Sequence, residues 1–371
     1  MARMRKSYQY RLYPTKEQSS KLLGWLGLCR ELYNAAIEER REAWKKGVSI
    51  RRFDQTYQLP ETKKIREDLA EVNSQVLQDV ICRVDKAFQG FFSRVKQGSK
   101  PGYPRFKGRD RYSSLTWPQN IGFRFVSSKL RLSGIGDVKI KLHRPVEGKM
   151  KTAVVKLVAG KWFVSISCDE VPARIYPAAS DEVGIDMGLA SFATLSTGEK
   201  VENPRWFRKS EERIADAGRA LSRKKRWSSR WAKAKHAVGV LHAKAVNQRK
   251  DFQHKLAHRI VSENRLIAVE DLNTKRMIEK GSSGLSKSIQ DAAWATFLMI
   301  LFSKAVEAGR MFIKVPAPGT TDTCNKCGKK NKMSLSDRVY SCSCGLVMDR
   351  DVHASLNILR LGMSLQAALA A

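Results

Sequence analysis

What this sequence lacks narrows it first. Acidic residues are scarce: 36 Asp and Glu face 69 Lys and Arg in 371 residues, a formal charge of +33. A surplus that large needs a polyanionic partner, and nucleic acid is the default one. No apolar run approaches membrane-spanning length, since Ala292–Ala305 is short and broken by Ser303 and Lys304. The opening Met-Ala-Arg-Met-Arg-Lys is followed by a strand-like segment and not by an apolar h-region, so no signal peptide and no membrane partner are expected. Only six histidines are present, and none forms the His-hydrophobe-His metal pair that a tyrosine transposase needs. His254 and His258, one helical turn apart, read as helix residues and not as a site. No internal repeat, helix-turn-helix or finger array is visible that would let side chains read a long DNA sequence. Cysteines are too few and too unevenly placed for a disulfide framework: Cys29, Cys82 and Cys168 stand alone as buried thiols, and the other four cluster. Together these absences predict an intracellular, cytoplasmic protein. The 42% apolar content predicts a globular one with room for two or three domains.

Hydrophobic periodicity organises what is present. Tyr8, Tyr10 and Leu12 alternate with polar residues, predicting a strand; Thr15 and Gln18 form a capping box opening a helix with Leu22, Leu26, Cys29, Tyr33 and Ile37 on one face. Residues 45–58 are basic and poorly periodic. A second helix starts at Asn73 or Ser74, with Val76, Val80, Val84 and Phe88 inward. From 115 to 167 the signal is strand and turn, with Ala159-Gly160 as a hairpin. After residue 181 a strand hairpin gives way to strands alternating with helices, which predicts α/β structure with a mixed sheet. In that half, residues 205–262 read as two long helices and Ser286–Ala308 as one.

Three acids stand where metal-binding carboxylates are useful. Asp186 ends Val183-Gly184-Ile185, Glu270 ends Leu266-Ile267-Ala268-Val269, and Asp351 lies in Met-Asp-Arg-Asp-Val-His-Ala. Side chains alternate along a strand, so Glu270 and Asp271 cannot both enter one site. Of Asp349 and Asp351, one can cap the helix while the other binds metal. An acid, acid, acid order on two strand ends and a helix start is the arrangement of the RNase H-like nuclease fold. Two Mg²⁺ ions held there, with Mn²⁺ as a substitute, can activate water against a phosphodiester.

Cys324-x-x-Cys327 and Cys342-x-Cys344 form two tight pairs, each followed by glycine, Gly328 and Gly345. Four thiolates in that pattern predict one structural Zn²⁺ in a ribbon or knuckle. Residues 205–250 hold 15 Lys and Arg against 3 acids, a local +12 interleaved with Trp206, Trp227 and Trp231. Arg223, Lys224, Lys225, Arg226, Arg249 and Lys250 are therefore expected to face phosphates. On the helix after Asn73, the apolar stripe leaves Gln75, Gln78 and Arg83 for base edges or phosphates.

These segments, taken in order, resemble the TnpB (OrfB) family, RNA-guided nucleases of small transposons related to type V CRISPR effectors. The match runs through Tyr10-Arg11-Leu12-Tyr13-Pro14-Thr15, Cys29-Arg30, Tyr33-Asn34 and Pro104-Arg105-Phe106-Lys107. It continues through Gly184–Leu189, Asn247–Phe252, Val269–Asn273, Thr320–Cys324, the cysteine pairs, Asp349-Arg350-Asp351 and Asn357-Ile358. The resemblance implies a RuvC-like nuclease with catalytic Asp186, Glu270 and Asp351, the last acid being the second of Asp-Arg-Asp. It implies a β-barrel wedge over 1–14 and 110–178, interrupted by a helical recognition lobe over 15–109 whose Arg105 and Lys107 touch nucleic acid. The nuclease would occupy 179–319 and 349–371, with a zinc-bearing target-loading insertion at 320–348. Partners would be a structured, transposon-derived guide RNA and target double-stranded DNA cut beside a short adjacent motif, in a bacterial or archaeal cell with the protein at the nucleoid and monomeric. One position departs: His353 stands where the family usually has Asn. The alternatives are a type V CRISPR effector of the same architecture, an RNA-guided repressor with weak cleavage, and a transposase working without RNA.

Overall fold

The structure is a computed structural model and describes residues 4–173, 176–334 and 337–370. Residues 1–3 of the opening segment and 335–336 of the cysteine-bearing segment lie outside the described residues. The chain divides into two compact units, Met1–Pro172 and Ala173–Ala371.

In the first unit β1 (Met4–Tyr13) leads into α1 (Lys16–Lys45), α2 (Arg52–Tyr57), α3 (Leu59–Ile65), α4 (Glu67–Ala70) and α5 (Ser74–Lys96). Strands β2 (Ser114–Trp117), β3 (Phe123–Val126), β4 (Lys129–Leu132), β5 (Gly136–Lys141), β6 (Lys149–Val158) and β7 (Lys161–Val171) follow. They form one antiparallel sheet in the order β2-β6-β7-β1-β5-β4-β3. β1 is thus an interior strand, although the helices separate it in sequence from its partners. Its alternation decides its register: Tyr8, Tyr10 and Leu12 are buried and lie opposite Ile166, Val164 and Trp162. The Thr15–Gln18 capping box starts α1, and Asn73 caps α5 through the Gln75 amide. Ala159 and Gly160, both at positive φ, make the expected β6–β7 hairpin. The stretch read as aperiodic contains α2; six residues are too few to display a helical period. Of the lone cysteines, Cys29 and Cys168 are buried, whereas Cys82 is half-exposed.

In the second unit β8 (Asp181–Met187), β9 (Ser191–Leu195) and β10 (Lys200–Glu202) are antiparallel neighbours. Helices α6 (Glu211–Ser222) and α7 (Ser229–Glu263) lead to β11 (Asn264–Glu270). Then come α8 (Thr274–Lys280), α9 (Ser283–Ala292), α10 (Trp294–Glu307) and β12 (Met311–Val315). The sheet order is β10-β9-β8-β11-β12, with β8, β11 and β12 parallel, which is the mixed sheet predicted. A two-stranded ribbon, β13 (Val339–Ser341) and β14 (Val347–Asp349), precedes α11 (Arg350–Ala370).

The helix expected over 286–308 is two helices. Ala293 takes a left-handed φ of 52°, and the buried Gln253 amide donates to the carbonyls of Ala292 (3.0 Å) and Ala293 (3.3 Å) beside the break. Taken as one run, Ser283–Glu307 reaches a mean hydropathy of 1.2 over 18 residues. Split into helices of 10 and 14 residues, neither part reaches the roughly 20 needed to cross a bilayer. Ile289, Trp294, Phe297 and Leu301 are instead buried in the core.

Strand alternation sorts the second unit into layers. Val183, Ile185, Met187, Ile267 and Val269 pack with Leu256, Ala257 and Ile260 of α7 and Phe297 and Leu301 of α10. Leu266 and Ala268 point to the other face and pack with Ile313, Val315 and Ile358 of α11. Two glycines let α11 lie directly on the strands. A Cβ on Gly184 would sit 2.6 Å from the Leu359 amide nitrogen, and one on Gly362 would sit 2.5 Å from the Ala268 Cβ.

Candidate carboxylate and zinc centres

The strand period delivers two carboxylates to one place. Ile185 pairs with Val269 across parallel β8 and β11, so Asp186 and Glu270 come next, side by side at the strand ends. Both share the parity of Gly184 and Ala268 and so face α11. Asp271 has the opposite parity and is bound by Lys314 Nζ at 2.9 Å, away from the pair.

The third carboxylate comes from the start of α11. Asp349 Oδ1 accepts from the amides of Asp351 (3.1 Å) and Val352 (3.2 Å), and its Oδ2 accepts from Lys200 Nζ at 2.7 Å. Asp349 is therefore the helix cap. Burial alone would raise its carboxyl, but the lysine and the two amides hold it below the usual range. Asp351, in the first turn of the helix, is the acid left over.

Asp186 feels the other two carboxylates. Burial pushes the Asp186 carboxyl up to about 7, and the charges of Glu270 and then Asp351 add to the effect. Glu270 is also raised by burial, offset in part by the Thr320 hydroxyl, which donates to it at 3.2 Å. Crowded, half-buried acids are costly unless protons or cations neutralise them. Among the described residues only the cysteine quartet has all its ligand atoms within 4.8 Å, so the acids are more widely spread.

The cysteine module is compact and repeated. Cys324 O accepts from Gly328 N at 3.0 Å, and Cys342 O accepts from Gly345 N at 2.9 Å. Gly328 and Gly345 have φ of 74° and 86°, so each glycine supplies the left-handed turn that closes its knuckle. The Cys324–Cys344 and Cys327–Cys342 sulfurs lie 3.7 and 3.6 Å apart. Tetrahedral zinc with 2.3 Å bonds to sulfur requires about 3.8 Å edges, so the quartet fits zinc. The Cys344 backbone amide lowers the Cys342 thiol to about 6, which favours the thiolate a metal needs.

Three residues without an assigned role in the sequence tie this module to α11. His353 is fully buried and stacks on Tyr340 with ring centroids 3.6 Å apart and planes 10° apart. Asn357 Nδ2 donates to the carbonyls of Thr320 (2.9 Å) and Thr323 (2.7 Å). A polar His and Asn four apart on an otherwise apolar helix face were the available signal.

The expected nucleic-acid residues divide. Arg83 is not available: it donates to Asp79 (2.6 Å), the Ser114 carbonyl (3.0 Å) and the Thr116 hydroxyl (2.6 Å). Gln75 is turned onto Gln119 at 3.1 Å, whereas Gln78 is exposed. Arg249 is likewise an internal pin, donating to the Asp291 carbonyl at 3.1 Å, while Lys250 is exposed. An unpaired carboxylate or carbonyl within reach captures a guanidinium, and pattern alone does not reveal it. Arg223, Lys224, Lys225 and Arg226 are all exposed, in the turn between α6 and α7 and not on a helix. Beside them Trp227 and Trp231 pack 5.1 Å apart, with Arg226 4.9 Å from the Trp227 ring. Arg105 and Lys107 line a cavity of about 370 Å³ with Lys86, Arg94 and Arg111 and with Tyr33, Tyr103 and Phe106. It is cationic with aromatic walls.

A family model for IS605 OrfB, described as "Probable transposase", matches residues 166–280, and one for the Cas12f1-like TNB domain matches 294–358. A third, described as "Helix-turn-helix domain", matches 1–48, where the structure has one strand and a single 30-residue helix. A Streptomyces pristinaespiralis protein named "Putative RNA-guided DNA endonuclease" is 35% identical over 99% of this chain and 92% of its own length. An Escherichia coli K12 protein of the same name, InsQ, is 29% identical over 97% and 93%. The fold is similar to that of Cas12f1 in a cryo-EM complex with sgRNA and target DNA: TM-score 0.58, 13% identity, 96% of this chain and 98% of that one. With 35% identity spanning both chains almost end to end, this protein belongs to the IS605 OrfB (TnpB) family.

Proposed function

We propose that this protein is an RNA-guided DNA endonuclease, a phosphodiester hydrolase that holds a structured guide RNA and cuts matched double-stranded DNA. The observation that carries the reading is the convergence of Asp186, Glu270 and Asp351 on one sheet face, with Asp186 raised to about 7 by burial and by its acidic neighbours. Such a cluster is unstable as three bare anions and suits hard divalent cations. Two Mg²⁺ ions, or Mn²⁺, would supply an activated water and stabilise the leaving oxygen. The chain's part is positional. Asp349 caps α11 and so frees Asp351, Thr320 orients Glu270, and Gly184 lets the helix come close enough to bring Asp351 alongside.

In this reading residues 179–319 and 349–371 form a RuvC-like nuclease, and 320–348 a zinc ribbon that loads the target. Residues 1–14 and 110–178 form a wedge β-barrel, and 15–109 the recognition lobe. The names of the relatives support the RNA and DNA partners. The +33 charge supplies affinity for any polyanion and cannot choose a site, so sequence choice falls to base pairing with the guide. The test is a guide swap. The RNA that copurifies with the protein is sequenced, its guide segment replaced, and cleavage mapped with Mg²⁺ or EDTA. Cleavage should move to the new match and stop in EDTA. An RNA-free protein cutting one fixed sequence would overturn the proposal.

A further inference from the structure

We propose that His353 and Asn357, on one face of α11, are positioning residues that couple the cysteine module to the carboxylate site, so that each metal centre stabilises the other. The inference rests on the functional reading above, in which the three carboxylates hold divalent cations.

Both segments that enter the cysteine pairs are gripped by the same helix. Asn357 holds the carbonyls of Thr320 and Thr323, the latter adjacent to Cys324. His353 stacks on Tyr340, two residues before Cys342. Tyr340 is itself fully buried, and its hydroxyl accepts from Asn331 Nδ2 at 3.1 Å inside the module. The same two segments reach the acids. Thr320, held by Asn357 through its carbonyl, donates its hydroxyl to Glu270. α11, held by the stack through His353, carries Asp351 at its start.

The module cannot keep this arrangement alone. β13 and β14 are three residues each, and a hairpin that short is not independently stable. Four sulfurs on zinc supply the missing constraint. Without zinc, Tyr340 is released from His353 and the 320–323 strap from Asn357. Glu270 and Asp351 then lose the contacts that fix their separation. Coupling between two binding sites is reciprocal, so a cation on the carboxylates must also tighten zinc binding, by the same factor by which zinc tightens theirs.

The test uses the full-length protein with its copurified RNA. Zinc affinity is measured by equilibrium competition with a colorimetric chelator, with and without Mn²⁺, and Mn²⁺ binding is measured directly by calorimetry. Mn²⁺ should tighten zinc binding about fivefold or more in the wild type. His353→Ala and Tyr340→Leu should abolish that tightening and weaken Mn²⁺ binding by a similar factor. They should raise the Mn²⁺ needed for half-maximal cleavage more than they lower the saturated rate. His353→Phe, which keeps a ring on Tyr340, should restore the coupling. If the variants bind zinc more weakly yet bind Mn²⁺ as the wild type does, the module is autonomous and the coupling is refuted. A wild type with no Mn²⁺ site that Asp186→Ala removes would instead refute the carboxylate reading beneath it, and the coupling with it.

Discussion

Gly184 of β8 lies directly beneath Ser355 and Leu359 of α11. A Cβ at Gly184 would stand 2.6 Å from the Leu359 amide nitrogen and 2.8 Å from its Cβ, and closer still to the Ser355 carbonyl. Backbone cannot step aside as a flexible side chain can. This contact sets how near Asp351 comes to Asp186.

Gly184→Ala should therefore lift α11 and separate the acids. Overpacking of this kind costs about 1–3 kcal/mol. We expect a lower denaturation midpoint together with lost cleavage. Asp186→Ala should lose cleavage without the stability loss, and denaturant titration of both separates the two effects.

Asp186→Ala, Glu270→Ala and Asp351→Ala should each abolish cutting and leave guide and target binding nearly intact. Asp349→Ala should behave differently. It removes a helix cap, worth about 1 kcal/mol, and should leave measurable cutting. Gel-based cleavage beside filter binding checks both; efficient cutting by Asp351→Ala would move the metal role to Asp349.

The Asp186 carboxyl makes a signed prediction about pH. Its ordinary value is about 3.8 and it is raised to about 7, so the folded, metal-free protein holds a proton that the unfolded chain has lost. That contribution to stability is present below about 3.8 and is lost as pH rises through 7. At about 1.4 kcal/mol per pH unit over roughly three units, the loss is on the order of 4 kcal/mol at most. Asp186→Asn should thus raise the melting temperature of metal-free protein at pH 8. Mg²⁺ should stabilise the wild type there and not the variant. Since protons compete for the same oxygens, the Mg²⁺ needed for half-maximal cleavage should climb as pH falls below 7.

One zinc per chain should be found by elemental analysis. Cys324→Ser should lose it and expose the segment around Thr320–Asp349 to hydrogen exchange. Unchanged zinc and exchange in that variant would count against the ribbon.

The arginines should separate by role. Reversing Arg223 and Arg226 to Glu should weaken nucleic-acid binding and flatten its salt dependence, because exposed phosphate contacts release counterions. Arg83→Ala should do the opposite. It strands the carboxylate of Asp79 and the Thr116 hydroxyl, so the first unit should lose stability while the salt slope stays put. Binding isotherms at several salt concentrations decide between the two behaviours.

Much of this protein is legible in its residues because the relevant physics is local. The period of two in Tyr8, Tyr10 and Leu12, the Thr15–Gln18 box, the Ala159-Gly160 hairpin and the paired cysteines each act over a few residues. So does the parity that sends Glu270 to one face and Asp271 to the other. What remained open depends on partners far away in the chain. Pattern leaves Arg83 and Arg249 looking like surface cations, yet carboxylates and carbonyls brought by other segments turn them inward. Asp349 and Asp351 are equivalent as sequence, and Lys200 with two helix amides decides that Asp349 is the cap. Hydropathy runs Ser286–Ala308 together, and the Gln253 amide marks where it breaks. The sequence by itself determined most of the strands and helices, the paired cysteines and the family. Only the tertiary structure decided which face of the sheet α11 covers, and hence that Asp186 and Glu270 at the strand ends meet the start of the helix that also grips the cysteine module, because close backbone approach at Gly184 and Gly362 is a property of two segments together and of neither alone.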